Sequence, residues 1–264
     1  MSTLTYATRD SATMLRRNLR HMQRYPSLTL MLVGIPVVFL LLFVYVLGGT
    51  MGAGLGVASG GRDAYVEYLV PGILVLTVAG AAQGTAIAVA MDMTEGIIDR
   101  FRTMGISRAA VLTGHVVGSM LQTLACMAVV LVVALVIGFR PSASPLDWLA
   151  LVGVLAAITF ALTWLTVALG MSAKSVETAS NSPMPLLLLP FFGSGFVPTD
   201  TMPSGVRWFA ENQPFTPFTE SVRGLLTGAD LGNGVVLTIV WSAAIALLGY
   251  VWAMRSYEKV AERV

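Results

Sequence analysis

Residues 27–49 read SLTLMLVGIPVVFLLLFVYVLGG, 23 positions without a formal charge. A helix needs about 20 such residues to cross a hydrocarbon layer of ~30 Å, so this stretch is long enough by itself. A strand of a transmembrane barrel would alternate apolar and polar residues. Residues 27–49 are apolar on every side, and a spanning helix is the consistent reading. Working outward, stretches 68–91, 109–138, 148–171, a shorter 183–197 and 234–254 repeat the pattern, giving six candidate spans. The predicted fold class is therefore an all-α polytopic membrane protein with six transmembrane helices.

Composition agrees. Of 264 residues, 56% are apolar and 11% charged, against about 45–50% and 25% in soluble domains. Mean hydropathy is +0.78. These values exclude a soluble globule, a disordered or collagenous chain and a nucleic-acid binder. The net charge of +2 gives no general attraction for polyanions. The single cysteine, Cys126, permits no intrachain disulfide.

The basic residues are unevenly shared between alternate connections. The amino tail, the connections after the second and fourth candidate spans and the carboxyl tail hold 12 of the 16. Only Arg62, Arg140, Arg207 and Arg223 fall on the other side. The positive-inside rule then predicts that both termini are cytoplasmic, and six spans agree with both termini lying on one side. No short basic start followed by an apolar core occurs in residues 1–26, so no cleavable signal peptide is expected. In that tail Ala12, Met14, Leu15, Leu19 and Met22 share one side of a helical wheel, opposite Arg16, Arg17, Arg20 and Arg24. This reads as an amphipathic helix on inner-leaflet lipids, either a simple anchor or a connecting helix that also meets a cytosolic partner.

The segment 91–108, MDMTEGIIDRFRTMGISR, has helical spacing, with Ile97, Ile98, Phe101 and Met104 on one face. It reads either as a helix lying against the membrane or as a knob for a soluble motor. Between Pro183 and Pro198 lie four prolines with Gly193 and Gly195, which predicts a short or kinked fifth span. Residues 199–234 hold two short predicted helices, about 203–211 and from Thr216-Pro217 to Gly228. Their aromatic content predicts a segment that re-enters the membrane edge, buried in protein or lining a cavity.

Gly80 and Gly84 form a G-x-x-x-G around Gln83, which suits helix packing within the chain or between copies. His21 and His115 are the only histidines, too few for a metal cluster or proton relay. His115 reads as a packed residue. Ser194, between two glycines, lacks a fitting general base, and H-E-x-x-H is absent. The phosphate-cradling pattern G-x-x-x-x-G-K-[ST] is also absent, so this chain is not expected to be an ATPase. No Asp, Glu, Lys or Arg occupies a span centre, which argues against ion-coupled transport and channels.

Two stretches carry a family resemblance. EGIIDRFRTMGISRAAVLTGHV (95–116) resembles the coupling segment of type-2 ABC permeases, and PLLLLPFFGSGFVPTDTMPSGVRWFAENQPFTPFTESVRGLLTG (185–228) resembles the fifth span and following outer segment of the same family. Within that family both stretches resemble daunorubicin-resistance-like drug exporters. One departure is Gly105, where such permeases often carry proline.

The resemblance implies one permease domain over 1–264. Its parts are a connecting helix at 1–26, five spans within 27–197, a coupling helix at about 94–107, re-entrant helices at 198–233, a sixth span at 234–254 and a cytoplasmic tail. It further implies two cytosolic ABC ATPase subunits, a second permease copy or paralogue, and a hydrophobic or amphipathic cargo exported across the plasma or inner membrane. ATP and Mg would belong to the partner, with no cofactor or metal in this chain. Glu95, Arg100, Phe101 and Arg102 would contact the ATPase, while Gln83, Phe191, Phe192 and Phe215 are candidates for the path or its gate. Export of a lipid-linked polysaccharide and a non-transporting membrane scaffold are the alternative readings.

Overall fold

The computed structural model describes residues 26–54, 61–96 and 108–261, and it is all-helical among those residues. Five helices are long and apolar enough to cross a membrane: Leu30–Ala53, Arg62–Thr94, Leu112–Val136, Pro145–Ser172 and Gly234–Glu258. The first is composite. Helix α1 (Pro26–Leu42, with Pro36 inside) runs through a π-helical turn, Phe43–Leu47, into α2 (Gly48–Ala53).

Helix α3 (Arg62–Thr94) is the axis of the molecule. Its 33 residues extend about 50 Å at 1.5 Å per residue, longer than the hydrocarbon layer, so its ends reach beyond it. Leu69, Val70, Ile73 and Val75 are completely buried although they point in different directions around the helix. A helix apolar all round is stable only when surrounded. Here α1, α2, α4 (Arg108–Val136) and α5 (Pro145–Ser172) supply that surrounding.

Helix α5 begins where the sequence dictates a start. Ser144 Oγ accepts from Asp147 N at 3.3 Å, Asp147 Oδ2 accepts from Ser144 N at 2.9 Å, and Pro145 occupies the first turn. The last long helix, α10 (Gly234–Ala261), packs mainly on α5. A Cβ at Gly249 would stand 2.6 Å from Leu165 N, so glycine permits this close approach. Trp164 and Tyr250 meet edge to face beside it, with centroids 5.0 Å apart.

The stretch expected as a fifth span is not one continuous helix. Helix α6 (Val176–Asn181) is followed by α7 (Met184–Leu188), a 3-10 turn (Leu189–Phe192) and non-helical residues 193–197. Proline removes backbone donors and fixes φ, which accounts for the interruption. Beyond a further 3-10 turn (Thr199–Thr201) come α8 (Ser204–Asn212) and α9 (Phe215–Thr227), close to the two predicted helices. Gly228, at φ 68°, ends α9 in the left-handed conformation that glycine adopts without a Cβ penalty.

The expected amphipathic helix in residues 1–25 lies outside the described residues, as do Arg100, Phe101 and Arg102. Helix α3 itself includes Thr94, and Gly96 at φ 67° stands just beyond it. Residues 97–107 of the coupling helix predicted at about 94–107 lie outside the described residues.

Candidate functional site

Two polar junctions stand at opposite ends of α3. The first joins its N-terminal part to the broken segment and α9. Tyr68 Oη donates to the Ser194 carbonyl at 2.7 Å, and Tyr65 Oη to that of Phe196 at 3.3 Å. Arg223, on α9, donates through Nη2 to the same Ser194 carbonyl at 2.7 Å and to the Tyr68 carbonyl at 3.2 Å. Its Nη1 meets Glu220 Oε1 at 2.7 Å, and its guanidinium carbon sits 4.0 Å from the centroid of the Tyr68 ring. The planar fork of arginine suits such divergent acceptors and an aromatic face. Backbone closes the junction further, since a Cβ on Gly72 would collide with Gly195.

Beside this junction is an aromatic cluster. Phe191 stacks on Phe196 at 4.5 Å, while Phe39 and Phe43 of the first span lie 5.6 Å from Phe191 and 5.1 Å from Phe196 respectively. Phe192 turns outward, 49% exposed, towards Phe209. Gln213 links the 3-10 turn to α9, its Nε2 donating to the Leu189 carbonyl at 3.4 Å and its Oε1 accepting from Phe215 N at 3.1 Å. Phe215 is completely buried against Phe218. Gln83 is placed elsewhere, donating to the Ser180 carbonyl at 2.8 Å and so tying α3 to α6.

The second junction is at the other end of α3, about 36 Å along the helix from Tyr68. Asp92 Oδ2 lies 3.0 Å from His115 Nε2, joining α3 to α4 at the base of the predicted coupling segment. One turn or two further in, Thr85 Oγ1 donates to Ser119 Oγ at 2.9 Å. A second apolar core surrounds this end, with Val89, Leu112, Val116, Trp164 and Tyr257 buried together. Glu95 is exposed at the end of α3.

The predicted path residues therefore fall into three surroundings: Phe191 and Phe192 at the break, Phe215 in the core, and Gln83 between helices. Arg223, Tyr68 and Asp92 were not among the predicted site residues. Arg223 carried one available signal, a cation beside the apolar residues Phe218, Val222, Leu225 and Leu226.

Arranged this way, the chain is a multi-pass helical membrane protein with a broken helix at one end and a charged inter-span segment at the other. Residues 10–227 match the family model described as ABC-2 type transporter. The chain belongs to that family, and membership implies association with ABC ATPase subunits. It is 28% identical over 254 residues, 95% of its own length and 87% of the relative's, to "Daunorubicin resistance ABC transporter permease protein DrrB1" of Streptomyces coeruleorubidus. It is 27% identical over 186 residues, 67% of this chain and 65% of that one, to "Probable doxorubicin resistance ABC transporter permease protein DrrC" of Mycobacterium tuberculosis. The chain resembles these permeases and is the membrane subunit of an ABC-2 type transporter.

Proposed function

We propose that this chain is the permease of an ATP-driven exporter that moves amphipathic drugs or lipid-like molecules out of the cell. The observation that carries the reading is the 28% identity, over 95% of the chain, to a permease named for daunorubicin resistance. Two permeases, identical or paralogous, sit on two cytosolic ATPases, which bind ATP and Mg. Both termini are cytoplasmic, and the interrupted 183–197 segment serves as the fifth of six spans. Helices α8 and α9 re-enter from the outer face. The segment at about 94–107 seats on the ATPase through Glu95, Arg100, Phe101 and Arg102, and passes nucleotide-driven closure to α3 and α4. Phe191, Phe192, Phe215 and Gln83 line or gate the route.

The test is efflux from a drug-sensitive bacterial host expressing the chain with its cognate ATPase. Daunorubicin accumulation falls only when both subunits are present and the ATPase is active. Unchanged accumulation of daunorubicin and of a fluorescent lipid, with both proteins in the membrane, overturns the reading. Movement of the lipid alone assigns a lipid cargo.

A further inference from the structure

We infer that Arg223 is a positioning residue that latches the broken segment against α3 and thereby holds the outer mouth closed. The inference rests on the proposed orientation, which puts this end of α3 outside. Arg223 and Tyr68 converge on one acceptor, the Ser194 carbonyl, from two different helices. The same guanidinium holds the Tyr68 carbonyl and covers the Tyr68 ring. Three segments far apart in sequence thus meet at one side chain. Residues 193–197 have no helical hydrogen-bond ladder of their own to fix them, so their position depends on such ties and on the Gly72–Gly195 packing.

The closed arrangement is also incomplete. Ser194 Oγ and Arg223 Nε are both buried with no hydrogen-bond partner among the described residues. Buried polar atoms without partners raise the free energy of the state that buries them. Opening the junction to water relieves that cost while breaking the Arg223 and Tyr68 bonds. The opposing terms make the junction a reversible latch rather than a permanent brace. Glu220, 46% exposed by its side chain, keeps Arg223 charge-paired from the surface side.

The test places a cysteine at Ser194 in a Cys126→Ala background and follows its reaction with a membrane-impermeant maleimide. The full-length chain is kept in native membrane vesicles of both orientations, so reagent reaches one face at a time. Ser194→Cys retains the backbone carbonyl that the latch holds. With Arg223 present, labelling from outside is slow. Arg223→Gln accelerates it roughly tenfold or more, the shift in open population expected from losing a charge-assisted hydrogen bond. Tyr68→Phe, which keeps the ring and removes only the hydroxyl donor, gives a smaller rise.

General loosening is read separately from native Cys126, which is buried on α4. In chains retaining Ser194, its labelling stays unchanged by Arg223→Gln. Equal labelling of the introduced thiol with and without Arg223, or a parallel rise at Cys126, overturns the latch. Acceleration only from the cytoplasmic face supports the latch and overturns the proposed orientation, so the two failures are distinguishable without any transport assay.

Discussion

His115 Nε2 lies 3.0 Å from Asp92 Oδ2, so the two helices flanking the charged inter-span segment are tied together by residues 23 positions apart in sequence. Both side chains are largely enclosed, at 6% and 14% exposure. The bond is therefore shielded from the competition with water that makes surface ion pairs weak. The tie joins α3 to α4 beside the segment proposed to seat on the ATPase.

His115→Ala is predicted to destabilise the protein by about 1–3 kcal/mol, the usual range for a buried hydrogen bond to a charged group. His115→Gln, which retains a donor, recovers part of it. Thermal unfolding in detergent measures both, and equal melting of wild type and His115→Ala would refute the tie.

Glycine substitutions separate sequence pattern from contact. At Gly80 and Gly84 an added methyl meets only Leu187 and Leu32 side-chain carbons, at 3.8 and 3.9 Å. At Gly72 it collides with the Gly195 backbone, and at Gly170 it would stand 2.6 Å from the Ala86 carbonyl. Gly80→Ala is predicted to be neutral or stabilising by up to about 1 kcal/mol through helix propensity. Gly72→Ala and Gly170→Ala should each cost about 1–3 kcal/mol through overpacking. Comparative melting of the three variants reads the difference.

Two phenylalanines proposed for the route should part company. Phe215→Ala empties a completely buried position and should destabilise by about 3–5 kcal/mol, lowering the amount of protein in the membrane. Phe191 is only partly buried, at the break, and Phe191→Ala should change the ranking of exported drugs while leaving abundance near wild type. Quantitative blotting beside efflux of several amphipathic dyes distinguishes the outcomes.

Substitution of Arg100 and Phe101 by alanine should abolish ATPase binding and efflux together, with the permease still inserted. Retained binding with full efflux removes these residues from the proposed contact.

Much of this arrangement was legible in sequence because membrane spans are a one-dimensional signal. An apolar stretch of sufficient length needs no partner to be recognised, and five of the six predicted stretches form long helices. The proline-rich stretch was readable as interrupted, but where its fragments pack was not. That depends on Gly72 meeting Gly195 and on Arg223 reaching two carbonyls, and neither pairing has a sequence period. The G-x-x-x-G at Gly80 and Gly84 suggested close helix approach, whereas tight contacts occur at Gly72, Gly170 and Gly249, which lie outside that motif. His115 read as a packed residue, and it is packed. Its pairing with Asp92 depends on how α3 and α4 are juxtaposed, which spacing alone does not encode.

The central claim is that this membrane chain works with a separate ATPase, and gentle detergent extraction from its native membrane followed by quantitative mass spectrometry tests it most directly. The account predicts a P-loop ATPase recovered in equal amount with the permease, whose hydrolysis daunorubicin stimulates. Recovery of the chain alone, or with partners that bind no nucleotide, would contradict it.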